Sequence, residues 1–149
     1  MLDDTSFALM ELSHKGYFCS QILLILALRA QGKENPGLVR ALSGLSRGTA
    51  QQKGVCGTLT GAACLLAYHA AKGTDEEQES ERLPAMLEEL WDWFEETHGS
   101  RFRGITCAQI LADGAKPRER CGPLVLEAYQ KCQAILVANG FDPLEDAHG

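Results

Sequence analysis

The residues with the most chemistry in this chain are its six cysteines. No two of them form a CxxC pair, so the spacings of zinc ribbons, ferredoxins and thioredoxins are absent. Four of them, Cys19, Cys56, Cys107 and Cys121, fall where a helix is expected to begin. A helix start presents unpaired N–H groups with partial positive charge, which favours thiolate over thiol. Arg118 and Arg120 flank Cys121 and act in the same direction. Thiolate is the reactive form of cysteine and the form that binds metal. The expectation is a thiolate site assembled by folding. It would either hold an iron–sulfur cluster or zinc or cycle two of its cysteines between dithiol and disulfide. The competing reading is a non-catalytic helical interaction module with packed cysteines, whose acidic face or Trp93 contacts a partner.

Cys64 and Cys132 read differently. They sit inside helices among Ala62-Ala63-Leu65-Leu66 and Gln133-Ala134-Ile135-Leu136, where a free cysteine behaves as a small hydrophobe. Cys121 and Cys132 share a helix face, but about 16 Å of helix separates them at 1.5 Å per residue, too far to ligate one ion. Gly57 and Gly61 lie four apart beside Cys56, on one helix face. Each costs a helix about 1 kcal/mol relative to alanine, so something must come close to that face. The candidates are another helix backbone or a bound group. His14, His69, His98 and His148 are scattered without ligand spacing and read as structural. No phosphate-binding glycine loop or GxSxG elbow is present. The pairs Glu88-Glu89 and Glu95-Glu96 fall on a polar helix face, where solvation accounts for them.

The elements that must position the cysteines are helical throughout. A first helix is expected over Thr5–Lys15, capped by Asp4 or Thr5 and stopped by Gly16. A second runs from Phe18 to just before Gly32. Its run Ile22–Leu28 is apolar on every side, which suits the central core or a subunit interface. Asn35-Pro36 opens a short helix through Leu42, followed by a turn-rich loop over 43–49. A long helix spans Val55–Lys72, and the acidic stretch 75–81 is a solvated linker. Over Leu83–Thr97 the stripe Leu83, Met86, Leu87, Leu90, Trp91 and Phe94 faces inward, with Trp93 off the stripe. A short helix follows from Thr106 to Ala112. The last helix carries a core stripe of Val125, Tyr129, Cys132 and Leu136 and ends at Asn139-Gly140. Cys121, just before Gly122-Pro123, either precedes that helix or lies in a first turn broken there. Residues 143–149 read as a mobile tail.

The fold class is therefore all-α: one single-domain bundle of five to seven helices spanning 1–149. At 149 residues, 45% hydrophobic and 23% charged, the chain can bury one real core. A net charge of −6 without a basic block argues against nucleic acid as a main partner. The acidic start carries no signal-peptide pattern, and no apolar run is long enough for membrane insertion, so a cytoplasmic location is expected. In a reducing compartment an even cysteine count is weak evidence for structural disulfides. The site implies a redox partner, either a protein or a small molecule.

Four segments carry a family resemblance: Gly16-Tyr17-Phe18-Cys19-Ser20-Gln21, Cys56-Gly57-Thr58-Leu59-Thr60-Gly61, Ile105-Thr106-Cys107 and Cys121-Gly122-Pro123-Leu124-Val125. Over about Ala8 to Ala138 the chain resembles the C-GCAxxG-C-C family of bacterial and archaeal proteins, which is proposed to be redox-active. The resemblance implies that Cys19, Cys56, Cys107 and Cys121 are the redox-active or metal-binding set, with Gly57 and Gly61 as motif glycines beside any bound group. Thr58 stands where the motif has alanine. The glycine-rich stretch before the second cysteine is thinned to Gly44, Gly48 and Gly54. Cys64 and Cys132 lie outside the pattern.

Overall fold

A computed structural model describes residues 3–146 and 148 of the chain. Seven helices and no strand are present among them: α1 (Asp4–His14), α2 (Cys19–Ala30), α3 (Pro36–Leu42), α4 (Gly57–Ala70), α5 (Leu83–Phe94, prolonged by a π turn over Glu95–Gly99 and a last turn at Ser100–Phe102), α6 (Cys107–Ile110) and α7 (Pro117–Ala138). No helix among the described residues is long and apolar enough to cross a membrane.

The helix starts follow local chemistry. The Asp3 carboxylate accepts from the Ser6 N–H at 2.8 Å, so the first cap is Asp3 rather than Asp4 or Thr5. Gln21 folds back to accept from the Phe18 N–H at 3.0 Å and closes the start of α2. Asn35 caps α3 through the Leu38 N–H at 3.1 Å, ahead of Pro36. α4 begins at Gly57, two residues later than its sequence pattern suggests. Val55 instead forms an isolated antiparallel bridge with Thr106.

α2 is the buried centre, with Ile22, Leu23, Leu24, Leu26, Ala27 and Leu28 all in the core. It lies along α4, which in turn packs on α5 and α7, and α1 closes the far side against α2 and α7. The stripes on α5 and α7 are buried as the periodicity requires: Leu83, Met86, Leu90 and Phe94 on one, Val125, Tyr129, Cys132 and Leu136 on the other. Trp91 departs from that pattern, standing 40% exposed. Trp93 is half-buried instead, its ring edge-on to His98 at 5.5 Å. Both tryptophans lie at the margins of the stripe, on opposite sides of it, and a π turn follows them. That turn inserts an extra residue into the helical repeat and rotates the following face, bringing His98 inside, 3.0 Å from Glu127.

α7 starts at Pro117, so Cys121 lies inside it, one turn in, rather than before it or in a broken first turn. Pro123 is tolerated within the helix because it and Glu119, whose carbonyl loses its partner, both face solvent. At the C-terminus the Glu145 carbonyl accepts from Gln31 Nε2 at 3.0 Å, Asp146 pairs with Lys33, and His148 meets the His69 carbonyl at 3.0 Å. Ala147 and Gly149 of the expected tail lie outside the described residues.

The contact between α2 and α4 depends on one glycine. A Cβ on Gly61 would lie 2.7 Å from Ser20 Cα, a backbone atom that can move only with α2. Gly61→Ala should therefore destabilise the fold by about 1–3 kcal/mol, outweighing a gain in helix propensity of about 1 kcal/mol. Gly44→Ala, with open space at its Cβ, should be near neutral. Urea denaturation of the two variants checks this, and equal midpoints would contradict the close contact.

Candidate functional site

The four motif cysteines come from four separate elements and line one cavity of about 420 Å³. Cys19 is the first residue of α2, Cys56 is the N-cap of α4, Cys107 is the first residue of α6, and Cys121 arrives from the second turn of α7. Their positions are fixed by backbone bonds between loops. The Cys56 N–H donates to the Ile105 carbonyl at 2.8 Å, and the Cys107 N–H donates to the Gly54 carbonyl at 3.0 Å. Gly48 (φ +64°) makes this crossing possible, since a Cβ there would meet the Gly54 carbonyl oxygen at 2.7 Å and Cys107 Cβ at 3.1 Å.

Gly57 does the same for Cys19. A Cβ on it would lie 2.7 Å from the Leu45 carbonyl oxygen and 2.8 Å from the Cys19 sulfur. The two motif glycines thus have different neighbours: Gly61 admits the backbone of α2, and Gly57 admits the sulfur that α2 carries. Cys64 and Cys132 stay outside the cavity. Cys132 is fully buried, its thiol donating to the Ala62 carbonyl at 3.6 Å. Cys64 is half-buried on α4.

The electrostatics correct the expectation of thiolates favoured by helix starts. Burial, reinforced by the neighbouring Cys56, pushes the Cys19 thiol up to about 11 from an ordinary 9.0. The Ser20 N–H, the Thr58 hydroxyl and the Arg47 N–H oppose this without overcoming it. Cys121 is pushed up to about 12 by burial and by Cys19, Cys56 and Cys107 together, with Arg120 opposing. Cys107 is also raised, by burial and Cys56, against the charge of Arg47. The reasons are local. The first N–H groups of α6 are already taken, since Cys107 donates to Gly54, Ala108 to the Gln52 carbonyl at 3.0 Å and Gln109 to Thr106 Oγ1 at 3.1 Å. Cys121 is not at a helix start. Arg120 is engaged elsewhere, by Asp113 and the Ile110 carbonyl, each at 2.6 Å, and by the face of Phe102. Desolvation therefore outweighs the helix ends.

All six cysteines are free thiols. An iron–sulfur cluster or zinc would need several donors within bonding reach of one point. Among the described residues no three His, Cys, Asp or Glu side chains are so placed. Two residues of the site had no clear signal in the sequence. Arg47 stands at the cavity with its guanidinium 4.4 Å over the Phe18 ring, but in sequence it is one polar residue in a turn-rich loop. Thr58, the departure from the motif alanine, is fully buried, and its hydroxyl has no hydrogen-bond partner among the described residues. It lies near enough to Cys19 to favour that thiol's ionised form.

A family model described as "Putative redox-active protein (C_GCAxxG_C_C)" matches residues 17–135. No curated protein and no solved structure matches the chain.

The raised thiols make stability depend on alkaline pH. Below the ordinary 9.0 the thiol is protonated folded and unfolded alike; above it the unfolded chain ionises first, while the folded Cys19 holds its proton to about 11. Stability should thus be full below about pH 9 and fall as pH rises toward 11 and beyond. Under argon, the urea midpoint of the wild type should drop more steeply over that interval than those of Cys19→Ser and Cys121→Ser. Parallel curves would contradict the burial of protonated thiols.

Proposed function

From the premise that this chain belongs to the C-GCAxxG-C-C family, we propose that it is a thiol–disulfide redox protein whose working dithiol is Cys19 with Cys56. Convergence of the four motif sulfurs on one cavity, with Cys64 and Cys132 excluded, carries this reading. Cys19 is the attacking thiol. The Ser20 and Arg47 N–H groups and the Thr58 hydroxyl favour its ionised form against burial, and donors of that kind stabilise a thiolate as it forms. Cys56 is the partner: it lines the same cavity from the N-cap of α4, next to the glycine that faces the Cys19 sulfur. Gly57 leaves room beside it for the Cys19 sulfur.

Oxidation forms one S–S bond between the pair and releases two electrons and two protons to an acceptor; reduction reverses both. Joining the two sulfurs removes two groups whose ionised forms repel in a buried site. Cys107 and Cys121 complete the wall and add to that repulsion. Because the attacking thiol is protonated at neutral pH, its rate should climb with pH toward 11.

The test is an equilibrium titration against the dithiothreitol couple, read by counting free thiols. The wild type should lose two thiols per chain in one two-electron transition. Cys56→Ser should abolish the transition, and Cys64→Ser should leave its midpoint in place. A transition that survives Cys56→Ser, or moves equally in both variants, would sink the assignment.

A further inference from the structure

We propose that the thiol cavity binds a small, negatively charged organic disulfide, with Arg47 and Arg118 as its anion-binding groups. This rests on the dithiol reading and names the oxidant that reading leaves open. The chain carries 20 acidic against 14 basic residues, yet no aspartate or glutamate lines the cavity, while both arginines do. Among the described residues neither guanidinium pairs with a carboxylate. Arg47 lies over Phe18, and Arg118 makes only long contacts of 3.4 Å to the Ser13 carbonyl and to His14. Every other guanidinium that meets a carboxylate, on Arg29 and Arg120, does so outside this cavity. Two unpaired cations above a low-dielectric pocket attract an anion far more strongly than the same charges in open water.

The walls set the rest of the ligand. Ile22, Leu111 and Val125 make an apolar lining, and the exposed Phe18 edges the opening. A volume of about 420 Å³ suits a small organic molecule. Arg47 holds its left-handed conformation (φ 54°), an uncommon one for a residue with a side chain, at a turn that lines the same cavity as Cys19. One residue thus links the anion to the attacking sulfur.

The chemistry balances. The Cys19 thiolate attacks one sulfur of R–S–S–R, the S–S bond breaks, and one RS⁻ leaves. The Cys56 thiolate then attacks the Cys19 sulfur, forming the protein disulfide and releasing the second RS⁻. The two protons given up by the cysteines go to the two leaving thiolates. The protein is oxidised by two electrons and the organic disulfide is reduced.

Fully reduced protein would be mixed under argon with dithiodipropionate (a dianion), hydroxyethyl disulfide (neutral) or cystamine (a dication). Each rate would be divided by that of a capped cysteine amide, which removes differences in leaving group. The dianion should be favoured over the neutral probe by about tenfold or more, with cystamine slowest. Raising salt from about 20 mM to about 500 mM should erode that preference. The double variant Arg47→Gln, Arg118→Gln should reduce it at least about fivefold, while Arg47→Lys should restore much of it by returning the charge. Equal normalised rates for the three probes, or a preference that persists in the double glutamine variant, would overturn the anion site alone. Failure of all three to form the protein disulfide would overturn the dithiol reading with it.

Discussion

The structure depends on how closely α2 approaches α4. At Gly61 the approach is backbone to helix, and at Gly57 it is sulfur to helix, each closer than a Cβ would allow. The same contact buries the apolar run of α2 and brings the Cys19 sulfur against the residue that follows Cys56. Packing and chemistry therefore share residues. A change that loosens the helix pair also moves the sulfurs, and a side chain at either glycine disturbs both.

Around that contact the loops are organised to deliver the remaining thiols. The segment from Arg47 to α4 runs through left-handed conformations at Arg47, Thr49, Gln51 and Gln52. Its carbonyls at Gln52 and Gly54 then receive the first N–H groups of α6. The bonds that fix Cys107 are thus the ones that deprive it of helix-end stabilisation. Buried thiols without free donors stay protonated. At Cys19 the Ser20 and Arg47 N–H groups and the Thr58 hydroxyl partly offset burial, which sets it apart from Cys107 and Cys121.

Much of this was legible in the chain. Apolar periodicity and capping residues gave the helices, and Asn35-Pro36 and Thr106 marked starts that the structure keeps. Two glycines at helical spacing beside Cys56 signalled a close approach, and the surroundings of Cys64 and Cys132 signalled packing. What stayed hidden was tertiary. The sign of thiol ionisation turned on burial and on carbonyls arriving from a distant loop. The burial of His98 accompanied a π turn that no local propensity announces. Gly122-Pro123 looked like a helix break because solvent exposure of Glu119 and Pro123 cannot be read from the residues themselves. Arg47 matters only through where its loop puts it.

The central claim is that the four motif thiols form one redox site and the other two form none. Oxidising the protein with excess oxidised dithiothreitol, alkylating the remaining thiols and mapping the bonds by peptide mass spectrometry tests this directly. The account predicts a Cys19–Cys56 disulfide, with Cys64 and Cys132 fully alkylated once the chain is unfolded. A disulfide that includes Cys64 or Cys132, or six free thiols after complete equilibration, would contradict it.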